Sequence, residues 1–335
     1  MQVTKRDGSK EGFSVEKIHK VVSWAVKGIN GVSLSDVEMN ANLSLYDGIT
    51  SSEIHQILIK SANDLISTSA PNYQYVAARL LNMQLRKEVW GYGDQPTDFL
   101  MFIRRNVDNG IYDPKLEKKW TEEEIDTLGK YINHNRDDMF TYAGLQQMID
   151  KYLVKNRSTG DIYETPQFAY MAIAMCLFDD INEVKQAYDC YSTFQINLPT
   201  PIMAGVRTNI RQFASCVLVD VEDNLDAIFS SIHAVGKYTA RRAGIGLNIG
   251  RMRPINSPIR GGEVIHTGLI PYLKNFESAV KSTSQNGLRG GSATVHVPFW
   301  HYEIEDIMVL KNNAGTDDNR VRKLDYSIQF CKLFY

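Results

Sequence analysis

Apolar positions along the 335-residue chain change their period more than once, and the changes divide it into regions. Residues Met1 to Phe13 alternate around the charged turn VTKRDGSKEGF, which predicts a hairpin closed by Asp7 and Gly8. Ile18, Val21, Val22, Ala25, Val26 and Ile29 then recur at helical spacing. A second helix starts behind the capping box of Thr50 and Glu53 and carries Ile54, Ile57, Leu58, Ala62 and Leu65 on one face. A third runs from Pro71 through Val76, Leu80 and Leu85 to Lys87, with the proline tolerated in its first turn. The stretch GYGDQPTD, Gly91 to Asp98, reads as a linker.

From Phe99 to about Asn197 the pattern stays helical, with a second capping box at Thr121 and Glu124 and a nearly continuous apolar helix from Phe168 to Leu177. The period shifts at LPTPIMAGV, Leu198 to Val206. Phe213 to Asp220 reads as a buried strand, about Leu225 to Arg241 as a helix and GIGLNIG as a short strand. Ile270 to Val280 follows as a helix, then Ala293 to Val297 as a strand. Strand and helix in alternation predict α/β construction with parallel strands. Three domains are expected: residues 1–90, 91–197 and 198–335.

A hydrophobic content of 43% against 23% charged residues is that of a globular chain able to bury a large core. A net charge of −2 gives no electrostatic reason to expect nucleic acid or an anionic membrane as partner. No segment is long and apolar enough to span a bilayer, and the N-terminus is too polar for a signal peptide. Four widely spaced cysteines, Cys176, Cys190, Cys216 and Cys331, lack metal spacing, so no metal is expected and a reducing cytoplasm is. The apolar finish DYSIQFCKLFY is unusual for a domain end and reads as a chain cut within an element.

Two glycine-rich, arginine-bearing segments carry the first chemical signal. RMRPINSPIRGGEVIHTG, Arg251 to Gly268, holds Arg251, Arg253 and Arg260, and SQNGLRGGSATVHVPFWH, Ser284 to His301, holds Arg289. Glycines let backbone amides approach a ligand, and guanidinium groups suit phosphate, so the pair points to phosphorylated ligands. Two long surface turns whose arginines meet only water account for either segment alone better than for both. Lys5, Arg6, Lys10 and Lys17 form a second basic group beside a helix start, which suits a triphosphate or, more simply, a solvated turn. Glu222, Asp223 and Asp226 are most simply helix-capping and dipole partners. GIGLNIG invites a dinucleotide reading, but the segment before Gly244 is helical in pattern, and that fingerprint needs a preceding strand. Cys216 lies in a strand, where a thiol is usually a small hydrophobe; its neighbours Thr200 and Ser215 and the two loops give it a redox alternative.

The strings VTKRDGS, YDGITSSEIH, APNYQYVAARL, LPTPIMAGVRT, FASCVL, RAGIGLNIGR, SPIRGGEVIHTG, SQNGLRGGSAT and LKNNAGTDDNRVR occur in an order and spacing that resemble one family over the whole chain. That family is the large, catalytic subunit of class I ribonucleoside-diphosphate reductase, of enterobacterial and T-even-phage type, in its N-terminal portion. The resemblance implies a helical ATP-cone and a helical region, followed by the first strands of an incomplete ten-stranded α/β barrel. It implies that Lys5, Arg6, Glu11, Ser14, Lys17, Ser51, His55 and Lys87 line a cone site for ATP or dATP. A specificity site for deoxynucleoside triphosphates would use Asp223, Asn224, Leu225, Arg253 and Arg260, with Ser284, Gln285 and Arg289 in a loop relaying effector identity. Thr200, Ser215 and Cys216 would face the substrate, with Cys216 one of two redox thiols and its disulfide partner elsewhere.

The resemblance further implies a homodimer through the specificity region, a small subunit whose diiron centre supplies the radical, and thioredoxin or glutaredoxin as reductant. No cofactor is expected on the chain itself. The family's thiyl-forming cysteine and second redox cysteine have no matching position in these residues, so a complementing C-terminal fragment is the expectation. The alternative is a non-catalytic nucleotide-binding regulatory subunit; retention of Thr200 and Cys216 favours the enzyme.

Overall fold

The computed structural model describes every residue except 43, 157, 210, 211, 284–290 and 335. The chain divides into two compact units, Met1–Arg211 and Gln212–Tyr335.

The first unit opens with strands β1 (Gln2–Thr4) and β2 (Lys10–Gly12), an antiparallel hairpin in which Thr4 faces Lys10. Gly8 turns it at φ 83°, a backbone state that a side chain would strain. Helix α1 (Val15–Val26) is capped by the Ser14 side chain, which accepts from the Lys17 amide. Helix α2 (Leu34–Asn42) was not foreseen, because its weak amphipathic pattern is interrupted by polar residues. Helices α3 (Ser51–Asp64) and α4 (Tyr73–Trp90) follow, with both halves of the Thr50–Glu53 capping box in place. Val22, Val37, Leu58, Val76 and Leu80, each at most 2% exposed, form the core these four helices share. Burying each such side chain contributes about 2 kcal/mol.

Helix α4 continues past this core into the next. Trp90, near its end, packs edge-on to Phe168 at 5.6 Å and tilts against Phe102 at 5.8 Å. The helices α5 (Phe99–Asp108), α6 (Lys115–Lys119), α7 (Glu122–Tyr131) and α8 (Tyr142–Gln147) surround α9 (Pro166–Leu177). Apart from Leu177 at its end, every residue of α9 is buried or half-buried, which its unbroken apolar run dictates. Asp137 accepts bonds from Asn82 and Arg86 of α4 and from Gln167 of α9 and so ties the two cores together. Helices α10 (Ile181–Ser192) and α11 (Thr200–Gly205) complete the unit. The change of period at Leu198 thus marks this short helix.

The second unit is a four-stranded parallel sheet of β3 (Cys216–Asp220), β4 (Gly244–Asn248), β7 (Ala293–Pro298) and β8 (Asp325–Gln329), in that spatial order. Helix α12 (Leu225–Ala240) connects β3 to β4. A small ribbon of β5 (Pro258–Ile259) and β6 (Val264–Ile265), then α13 (Leu269–Ser282), leads to β7. Helix α14 (Ile304–Met308) precedes β8. Leu247, Val295, Val297, Leu273 and Phe276 meet between sheet and helices, as a parallel sheet covered by its crossovers requires. The sheet is open at both edges among the described residues, with no closed barrel.

One expectation needs correction. The segment 213–220 is not a buried strand: only Cys216 to Asp220 are paired, at a sheet edge, and exposure alternates along them. Val217 and Val219 pack on the core while Leu218 is 83% exposed. An edge strand has one neighbour, so a continuous apolar run does not imply two covered faces.

Candidate functional site

The clearest cavity among the predicted residues lies in the N-terminal module. It is a cleft of about 280 Å³, and Glu11, Ser14, Lys17, Ser51, His55 and Lys87 all line it. These come from β2, the cap of α1, α1 itself, the first two turns of α3 and the end of α4, so residues 76 positions apart in sequence (11 to 87) converge. Val3, Phe13, Ile18, Val21, Ile54 and Leu58 form an apolar wall on the same cleft. Helical periodicity marked several of them only as core, because a face that lines a cleft repeats like one that packs.

Charge in the cleft is mutually arranged. Glu11 sits between Lys5 and Lys17, each ammonium 2.8 Å from its carboxylate. Hydrogen bonds from Lys17 and then Lys5 hold the Glu11 carboxyl below its usual range, and Glu11 in turn raises Lys5. Lys87 is lowered by burial first and then by the Arg6 charge. Neither Lys5 nor Arg6 lines the cleft, but Lys5 pairs with Glu11 and the field of Arg6 reaches both Lys87 and His55. An arriving anion would relieve the crowding of Lys87 and Arg6 and would compete with Glu11 for the two lysines. The N-terminal amides of the twelve-residue α1 add a favourable dipole.

His55 is buried, and its Nε2 lies 2.7 Å from the Leu80 carbonyl. That nitrogen must therefore carry the proton and donate it. Burial, assisted by Lys87 and Arg6, pushes the imidazole down to about 4, so it is neutral near pH 7.

In the second unit, Asp223 and Arg253 meet directly. The Arg253 Nε donates to Asp223 Oδ2 at 2.6 Å, and its amide donates to Asp223 Oδ1 at 3.1 Å. Asp223 is thus not a cap of α12; that role belongs to Asn224, whose side chain accepts from the Ala227 amide at 2.8 Å. A carboxylate one residue before the cap can instead reach across to the loop after β4. Arg251 pairs at longer range with Asp220 and Glu222. Arg260 is exposed, in a left-handed backbone at φ 51°, between β5 and β6. Leu225 opens α12 and is 58% exposed. Ser284, Gln285 and Arg289 lie outside the described residues.

Glu303 binds the arginine-bearing loop at both ends, accepting from the Ile255 amide at 2.9 Å and the Leu269 amide at 3.1 Å. No sequence signal marked it, since a lone glutamate beside aromatics resembles any surface residue.

Of the three residues expected to face substrate, Thr200 opens α11 in the first unit, while in the second Cys216 begins the edge strand and Ser215 immediately precedes it. Cys216 is exposed, and its backbone pairs in register with Gly244. Cys176 is half-buried in α9, and desolvation there pushes its thiol up to about 11. It is inert where Cys216 is accessible.

The first unit is thus a helical module with a charge-tuned cleft, and the second is a parallel sheet with an accessible thiol on its edge strand. Comparison with known proteins gives the same architecture part by part. An ATP cone domain model matches residues 1–88, a ribonucleotide reductase all-alpha domain model 138–211, and a ribonucleotide reductase barrel domain model 214–335. The chain is 50% identical over 339 residues to ribonucleoside-diphosphate reductase 1 subunit alpha of Escherichia coli K12, covering 99% of this chain and 44% of that protein. It is 49% identical to the alpha subunit of Haemophilus influenzae, over 100% of this chain and 45% of the relative. The enterobacteria phage T4 alpha subunit is 47% identical, over 99% and 45%. The chain therefore belongs to the ribonucleotide reductase large-subunit family and corresponds to its N-terminal portion. It spans less than half the length of the curated relatives it matches. Among the described residues no helix is long and apolar enough to cross a membrane.

Proposed function

We propose that this chain supplies the allosteric module and part of the substrate site of a ribonucleoside-diphosphate reductase. The overall change converts a ribonucleoside diphosphate and two thiols to the 2′-deoxyribonucleoside diphosphate, a disulfide and water. Cys216 is one of those thiols, and its exposure at the start of an edge strand supports that role. Thr200 and Ser215 are substrate contacts in the same reading. The second thiol and the radical-forming cysteine come from residues outside these 335. A small subunit with a diiron centre would supply the radical, and thioredoxin or glutaredoxin would return the disulfide to thiols.

In the cone, ATP or dATP occupies the cleft. Its phosphates meet Lys17, Lys87 and the α1 N-terminus, and its base lies on the apolar wall of Val3, Ile18 and Leu58. Asp223, Arg253 and Arg260, with Ser284, Gln285 and Arg289, serve a second site for deoxynucleoside triphosphates at a homodimer interface. The observation that carries this reading is the convergence of six of the eight residues expected at the cone on one 280 Å³ cleft.

Calorimetric titration of the 335-residue chain with ATP and dATP tests the cone. Binding that weakens at least about tenfold in Lys87→Ala, the loss of one charge-assisted contact, is expected. An absence of heat in the wild type, or equal affinity in the variant, contradicts the assignment. Reduction of a ribonucleoside diphosphate by the complete enzyme, abolished by Cys216→Ser, tests the chemistry.

A further inference from the structure

Arg207 is the largest fully buried side chain among the described residues, and it belongs to neither the cleft nor the sheet edge. It stands two residues beyond α11, whose first residue is Thr200. Its Nε donates to Glu164 Oε2 at 2.8 Å, and its Nη2 donates to the other oxygen of the same carboxylate. Nη1 reaches back to the Met203 carbonyl at 2.6 Å, and Nη2 also meets the Tyr152 carbonyl at 3.1 Å. Glu164, equally buried, accepts further from the Tyr112 hydroxyl and the Val154 amide. The Arg207 carbonyl accepts from the Asp113 amide at 2.9 Å. Four separate stretches of the helical region thus close on one ion pair.

A pair this deep is poorly explained by stability, because burying two charges costs about as much as their attraction returns, and apolar side chains of similar volume often do as well. What the guanidinium offers is geometry, a planar fork with fixed donor directions. Helix α11 needs that, since six residues are too few to hold a helix unaided. The Arg207 fork bonds the carbonyl of Met203, one turn from Thr200, and clamps it to Glu164.

We propose that Arg207 and Glu164 are positioning residues that hold α11, and through it Thr200, in place for the diphosphate of a ribonucleoside diphosphate. The inference rests on the reading of Thr200 as a substrate contact. Neither residue touches the substrate; both act through the helix.

The test uses the complete, catalytically competent reductase containing this chain, with Arg207→Lys, Glu164→Gln and the apolar pair Arg207→Met/Glu164→Leu. Arg207→Lys is also built together with Thr200→Val. Steady-state KM and kcat for a ribonucleoside diphosphate are read beside the thermal midpoint of each variant. Arg207→Lys and Glu164→Gln should raise KM about tenfold with kcat little changed, the cost of a small misplacement of a binding group. The apolar pair should recover the thermal midpoint without recovering KM. With Thr200→Val in place, Arg207→Lys should raise KM no further. KM values that follow the thermal midpoint, or effects of Arg207→Lys and Thr200→Val that simply add, overturn the proposal. A wild-type KM in Thr200→Val alone would instead remove the substrate assignment of Thr200 on which it stands, and with it the proposal.

Discussion

Lowering the pH from 7 to about 4.5 should weaken the N-terminal unit in part through one imidazole, that of His55, whose share can be isolated. The side chain is 5% exposed, and its protonated Nε2 donates to the Leu80 carbonyl. Burial is the main cause that pushes it down to about 4, with the charges of Lys87 and Arg6 acting in the same direction and the Leu80 carbonyl opposing them. In the unfolded chain the imidazole returns to about 6.5. Between those values the unfolded state binds more protons than the folded one, so stability rises with pH across that window. The contribution is complete above about pH 6.5 and is lost progressively as the pH falls toward 4. At about pH 4.5 the loss is about 2 kcal/mol, a large part of a typical domain's stability. Urea unfolding at the two pH values, in wild type and in His55→Gln, measures it. Glutamine keeps a donor for Leu80 and does not titrate, so the variant should lose about 2 kcal/mol less than the wild type on acidification. Equal losses in both proteins would refute the reasoning. His134, pushed down to about 4 by burial, titrates in both proteins and cancels in the difference.

Other consequences can be checked on the same chain. A Cβ at Gly250 would lie 2.5 Å from Cδ of the Pro298 ring, which cannot swing away, so Gly250→Ala should cost about 1–3 kcal/mol in urea unfolding. Gly246→Ala meets the far end of the exposed Leu218 side chain at the same distance and should cost less than about 1 kcal/mol, because that side chain can rotate off. Removing Arg86 from the buried Asp137, as in Arg86→Met, should destabilise the first unit by about 3–5 kcal/mol in the same assay, because an underpaired carboxylate is left behind. Brief treatment of the native chain with iodoacetamide, read by mass spectrometry, should label the exposed Cys216 and Cys331 faster than the half-buried Cys176, whose thiol is pushed up to about 11. Labelling of Cys176 at the rate of Cys216 would contradict the burial of α9.

Local features were legible in the residues themselves. The hairpin turn at Gly8 and the caps at Thr50 and Thr121 rest on contacts within a few residues, and the strands at Gly244 and Ala293 announce themselves by short apolar runs, although their pairing partners are distant. All eight residues expected at the cone could be named before any fold was known, because they sit in strings that resemble a family, and the structure gathers six of the eight in one cleft. Helix α2 and strand β8 escaped because their short segments have no strong period of their own; packing on neighbours forms them.

Tertiary structure alone decided the rest. Nothing in the run CVLVD says that it lies at a sheet edge with Leu218 in solvent, since edge and centre differ only in how many strands pair beside them. Nor does sequence place Asp223 against Arg253, thirty residues away, or Arg207 against Glu164, forty-three away. Short-range chemistry determines which elements form and which groups they carry. Only the folded chain, by bringing distant charges within bonding distance and out of water, determines which of those groups answer one another.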